Sequence, residues 1–96
     1  MNNFISGTEA RELIESQGAL LIDVRNPPEY AGGSALGAVN IPVNMIPHKA
    51  NEFDADKPVI VFCMTGGRSS QAQMILQSMG FAKVKNAGGL NDYLKS

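Results

Sequence analysis

Pro58-Val59-Ile60-Val61-Phe62-Cys63-Met64-Thr65-Gly66-Gly67-Arg68-Ser69 passes from a β-branched apolar run into a glycine-rich one. Val59, Ile60, Val61 and Phe62 read as a strand that runs into Cys63, with Pro58 at its first position, where no ladder donor is missed. Downstream, Ala72, Ile75, Leu76 and Met79 recur at i, i+3, i+4 and i+7. That spacing predicts an amphipathic helix over 69–79, stopped by Gly80. Strand, short loop, helix is the opening of a βαβ unit, and the rest of the chain repeats the alternation.

Upstream, Leu20-Leu21-Ile22-Asp23-Val24 is apolar except for one aspartate near its end, which suits a strand covered on both faces in a parallel sheet. Pro27-Pro28 ends it. Ser6 and Glu9 have the spacing of a capping box, which predicts a helix over 8–17 stopped by Gly18, with Phe4-Ile5 as a short strand leading in. Val39-Asn40-Ile41 reads as another short strand before Pro42, and 44–50 as a weak helix interrupted by Pro47. Phe81-Ala82-Lys83-Val84-Lys85 offers a last strand, and 90–95 a final helix after Gly88-Gly89. The expected fold is α/β: one domain over 1–96, with a central, mostly parallel sheet of about four or five strands and helices on both faces.

Composition bounds the function. Hydrophobic residues make up 44% and charged residues 18% of the 96, which fits a folded domain rather than a disordered segment. A net charge of -1 offers no electrostatic case for nucleic acid or an anionic membrane surface. One cysteine excludes an internal disulfide, and one cysteine with one histidine cannot supply the four ligands of a structural zinc site, so no metal and no cofactor are expected. No apolar run approaches the roughly 18 to 20 residues of a membrane span, and Met1-Asn2-Asn3-Phe4 has neither a basic nor an apolar leader region. The expected location is the cytoplasm, where a free thiol persists.

In open α/β sheets ligands sit at the carboxyl ends of strands, which is where Asp23, Arg25 and Cys63 fall. The loop after Cys63 leads into a helix N-terminus, so its backbone amides and the helix dipole converge on one point, where anions belong. Gly66 and Gly67 permit the close backbone approach that such a cradle requires. Arg68 is the sole charged side chain between Val59 and Ala82, with no sequence neighbour to neutralise it. Together these predict that Cys63 is held partly as thiolate, the nucleophilic form. A lone cysteine ending a buried strand is otherwise most often a small hydrophobe, and the glycine-arginine loop is what argues for chemistry here. Arg25 with Glu29 reads most simply as a salt bridge clamping the loop after its strand. His48, between Pro47 and Lys49, is expected in solvent rather than in a dyad with Cys63. Met64 sits at the loop tip, free to pack inward or to face a partner, while Met74 and Met79 are expected in the core or on the flank of their helix.

These motifs in this order resemble the rhodanese family, and its single-domain bacterial members in particular. Leu21-Ile22-Asp23-Val24-Arg25 with Pro28-Glu29-Tyr30 is similar to the family's first signature, and Gly37-Ala38-Val39-Asn40-Ile41-Pro42 to its second. Cys63, Gly66 and Arg68 match its C-x-x-G-x-R loop, and Gly88-Gly89-Leu90 resembles the closing segment. Where the family usually has His-Ile, this chain has Ser34-Ala35.

The resemblance implies a thiosulfate sulfurtransferase. Cys63 would attack the outer sulfur of thiosulfate or a related small anionic donor, sulfite would leave, and the cysteine persulfide would pass its sulfur to cyanide, a thiol or a protein thiol. Met64, Thr65, Gly66, Gly67 and Arg68 would bind substrate, the amides stabilising the persulfide anion and Arg68 drawing in the donor and holding the loop. Asp23 and Arg25 would support the site. From Cys63 to Arg68 inclusive there are six residues, the length the resemblance associates with sulfur, whereas the related phosphatases and arsenate reductases use one more. The alternatives are a non-catalytic rhodanese-like binding or regulatory module, a persulfide carrier, and, behind these, a cysteine-based phosphatase or arsenate reductase.

Overall fold

Four strands, β1 (Leu20–Asp23), β2 (Val39–Asn40), β3 (Val59–Cys63) and β4 (Val84–Gly89), form one parallel sheet in the order β2-β1-β3-β4. The computed structural model describes residues 3–96; Met1 and Asn2, part of the stretch read above for a leader, lie outside them. The α-helices among the described residues are α1 (Gly7–Gln17), α2 (Pro27–Ala31), α3 (Ile46–Lys49), α4 (Gly67–Ser78) and α5 (Leu90–Lys95). None is long and apolar enough to cross a membrane.

Strand alternation divides the core in two. Ile22 on β1 and Val59, Val61 and Cys63 on β3 pack with Ile46, Ala72, Leu76 and Phe81 on the side of α3 and α4. Leu21, Ile60 and Phe62 face the other way, against Ala10 of α1 and Tyr93 of α5. Both faces are covered, which is why β1 and β3 read as continuous apolar runs instead of alternating ones. The sheet order reverses direction between β1 and β3, so their carboxyl ends flank the crevice where such folds place ligands.

The α1 capping box forms as expected. Ser6 Oγ accepts from Glu9 N at 3.0 Å, Glu9 Oε1 accepts from Ser6 N at 3.4 Å, and Gly18 stops the helix in the left-handed region. The 44–50 segment is helical but broken: short 3-10 turns at Val43–Met45 and Ala50–Glu52 flank the four residues of α3. Pro47 lies in the first turn of α3, where its missing N–H costs nothing.

Two expectations fail, and one helix was not expected. Pro27 and Pro28 do end β1, but they also begin α2, with Asn26 as its N-cap and its backbone N donating to Glu29 Oε1 at 3.1 Å. The last strand is not 81–85. Phe81 instead turns into the α4 face of the core, its N–H donating to Leu76 O at 3.1 Å, and sheet pairing starts at Val84. The strand then runs on through Gly88-Gly89, where the register slips between Val61 and Cys63 so that β4 carries an extra residue. Phe4-Ile5 is no strand either: Ile5 makes one backbone hydrogen bond, its N to Asn86 O at 2.9 Å, along the outer edge of β4.

Candidate active site

Cys63 closes β3 with its side chain on the α4 face, 1% exposed. Gly66 N donates to its Sγ at 3.0 Å and Ser69 N at 3.4 Å, while Ser69 Oγ lies 3.4 Å from it. Burial pushes the thiol up. The Ser69 hydroxyl and the N–H groups of Ser69, Gly66 and Thr65 outweigh it, and the thiol is held below its ordinary value. The Ser69 hydroxyl also lies 3.1 Å from Gly66 O, and its one proton can serve only one acceptor at a time. Ser70 Oγ donates to the same carbonyl at 2.7 Å, so Ser69 can turn to the sulfur without leaving Gly66 O unpaired.

Gly66 must be glycine for two reasons. Its φ of 107° lies in the left-handed region, and a Cβ there would strike the ring of Phe4. The same ring covers Gly88, and a Cβ on Gly89 would meet the Met64 carbonyl. The glycines of β4 and Phe4, three positions before α1, therefore form the wall against which the loop is seated. Nothing in the local patterning marks Phe4 for this role.

Arg68 is not an unneutralised charge. Its Nη1 and Nη2 donate to Glu29 Oε1 and Oε2 at 2.7 and 3.0 Å, a bidentate pair spanning 39 positions of sequence. Arg68 hydrogen bonding, with help from Asn26 N, lowers the Glu29 carboxyl to about 2. The expected Arg25–Glu29 bridge is thus replaced by two others. Arg25 pairs with Asp23, Nε to Oδ1 at 2.9 Å and Nη2 to Oδ2 at 2.7 Å, and Nη2 also reaches Gly33 O at 2.8 Å. Asp23 accepts further from Arg25 N at 3.0 Å and from Ser34 Oγ at 2.8 Å. With Asp23 at 0% and Arg25 at 3% exposure, this pair is interior scaffold at the end of β1. No buried side-chain polar atom among the described residues lacks a hydrogen-bond partner.

The sequence match to known proteins covers the same elements: the family model for the rhodanese-like domain fits residues 6–96. This chain belongs to the rhodanese-like domain family. A sulfurtransferase of Allochromatium vinosum is 33% identical over 93% of this chain and 83% of its own length. The Escherichia coli thiosulfate sulfurtransferase PspE is 42% identical over 74% of this chain and 70% of its own. Among solved structures, the human single-domain sulfurtransferase TSTD1 superposes with a TM-score of 0.83 at 29% identity, covering 100% of this chain and 98% of the other.

In this rhodanese-like domain Ser34, which stands where the resemblance led one to expect histidine, is the residue that caps Asp23 Oδ2. Ser69 is the residue at the Cys63 sulfur that sequence reasoning missed, although it directly follows Arg68; the α4 turn brings it under Cys63. His48 is exposed on α3, as expected, and Met74, 70% exposed, and Met79, 37% exposed, lie outside the core, which leaves the helix flank of the two places expected for them. Met64 points outward and lines, with Arg25, Glu29, Leu90 and Leu94, a depression of about 430 Å³ beside the loop. The rate of Cys63 alkylation against pH should have its midpoint below the roughly 8.5 of a free cysteine, and Ser69→Ala should move it upward. A wild-type midpoint at or above that value refutes the anion-holding reading of the loop.

Proposed function

We propose that this chain is a sulfurtransferase that carries a sulfane sulfur on Cys63. The observation that supports it most is the convergence of Gly66 N, Ser69 N and Ser69 Oγ on the one thiol of the chain, inside a six-residue loop at the carboxyl end of β3. The names of the Allochromatium and Escherichia relatives point the same way. A thiolate held in a cradle of N–H donors is stabilised before reaction, and the same donors lie where a persulfide anion would develop its charge.

In the reaction we envisage, the Cys63 thiolate attacks the outer sulfur of thiosulfate. A bond forms from Sγ to that sulfur, the donor's S–S bond breaks, and sulfite leaves with the electron pair. Cys63 then bears a persulfide anion, so charge and atoms balance without any redox partner. An acceptor thiolate or cyanide attacks the terminal sulfur in turn and returns Cys63 to thiolate. Met64, Thr65, Gly66 and Gly67 supply the backbone around the carried sulfur, and Arg68 secures the loop through Glu29. Asp23 and Arg25 support from behind. The second substrate would be a small thiol or a protein thiol in a reducing cytoplasm, docking over the apolar rim formed by Met64, Leu90 and Leu94.

Intact mass after incubation with thiosulfate tests the reading. One added sulfur atom, removed by cyanide, is expected. An unchanged mass at saturating thiosulfate and at every persulfide donor tried would overturn it.

A further inference from the structure

The loop that holds Cys63 carries one cationic side chain, Arg68, and Glu29 engages it with both carboxylate oxygens. Glu29 is itself fixed, because its Oε1 also accepts the Asn26 backbone N–H at the start of α2. Arg25, the other cation at these strand ends, is spent on Asp23. The negative charges of Glu29, Cys63 and Asp23 favour the Arg68 cation, and Arg25 opposes it from the neighbouring strand end. Two cations and two carboxylates thus cancel in pairs around a thiolate. The Arg68 and Glu29 side chains are 37% and 29% exposed, so the pair stands at the solvent-facing mouth of the loop rather than in the core.

We propose that Glu29 is a specificity-determining residue: by pairing with Arg68 it cancels the positive charge at the mouth of the Cys63 loop, and so favours singly charged sulfane-sulfur donors, such as small-molecule persulfides, over dianionic ones such as thiosulfate. The inference rests on the sulfur-carrying reading above and deepens it. Both donor classes give the same product on Cys63. With a persulfide the bond formed is again from Sγ to the outer sulfur, and the S–S bond that breaks releases a thiol instead of sulfite. The difference lies in approach. A dianion meeting a thiolate has only the neutral N–H groups to offset the repulsion, whereas a monoanion meets half of it. An exposed ion pair adds little to stability, so its effect is expected in the electrostatics of the mouth.

The test uses two alkylating probes that differ in one charge, iodoacetate and iodoacetamide, and reads their rate ratio at Cys63, the one thiol present. Glu29→Gln keeps an oxygen for Asn26 N while freeing the guanidinium's charge, and it should raise the iodoacetate-to-iodoacetamide ratio about tenfold at low ionic strength, an effect that added salt erodes. Glu29→Asp, which retains the charge, should stay near the wild-type ratio, and so should Glu29→Gln/Arg68→Gln, which is neutral overall. In turnover, Glu29→Gln should lower the KM for thiosulfate several-fold relative to that for cysteine persulfide, a net monoanion near neutrality. A merely structural Glu29 predicts the reverse order, with the isosteric Gln harmless and the shortened Asp impaired. An unchanged ratio in Glu29→Gln, or an equal rise in the double variant, overturns the proposal. If the ratio rises but neither donor adds sulfur to Cys63, the sulfur-carrying reading fails, and the donor preference with it, while the cancelled charge stands.

Discussion

Cys63→Ser should lose sulfur transfer by at least about a thousandfold and show no added mass with any donor, because a serine hydroxyl is un-ionised near neutrality and cannot carry sulfane sulfur. The fold should survive. The site of the sulfur is bounded by N–H donors from Gly66 and Ser69, and an oxygen accepts from these at least as well. Turnover and melting temperature together decide the matter. Turnover within tenfold of wild type would place the chemistry elsewhere, and a collapse of the melting transition would make Cys63 a packing residue instead.

Asp23→Ala should be the most damaging change away from the loop. It strips the carboxylate from a guanidinium that is 3% exposed and leaves that charge with Gly33 O as its remaining side-chain partner. Breaking a buried pair from one side costs about 3–5 kcal/mol, and for a chain of this size each kcal/mol lowers the melting temperature by about 4–8 °C. Removing both charges in Asp23→Leu/Arg25→Met should recover most of the loss, since the cost comes from the orphaned ion more than from the absent bridge. Thermal denaturation of the two variants side by side checks this. A single variant that melts within a few degrees of wild type would show that water reaches Arg25.

What was legible in the sequence was whatever local chemistry specifies. The Ser6–Glu9 box, the apolar runs of β1 and β3 and the glycine-rich turn after Cys63 each announce themselves within a few residues, and together they imply a parallel sheet with Cys63 at a carboxyl end. Partner choice across long separations was not legible. Glu29 lies four positions from Arg25, and a local reading pairs them. In the fold, Asp23 is closer to Arg25 on the same strand end, which leaves Glu29 facing a helix that begins 38 residues later, at Gly67. Prolines misled for a related reason: Pro27 and Pro28 stop a strand and open a helix with the same fixed φ, and composition alone does not say which function dominates. The start of β4 was misplaced because Phe81 is a good strand former whose ring the α4 face claims. The glycines that follow are poor ones, and they pair because the Phe4 ring and the Met64 carbonyl leave no room for anything larger.

The two flanks of the sheet bear on how the molecule behaves in a crowd. On one side the outermost strand is β2, two residues long and followed within two positions by Pro42, too short to template a further chain. On the other side, the Ile5 backbone already occupies Asn86 O, and the extra residue near Gly88 breaks the regular ladder that an incoming strand would need. Parallel sheets assemble slowly from distant segments and are vulnerable to edge-to-edge association while they do so. Here the backbone itself blunts both edges, and the exposed Lys85 adds a charge on β4, so the native protein should resist amyloid-type growth by strand addition even at concentrations where its partly folded forms do not.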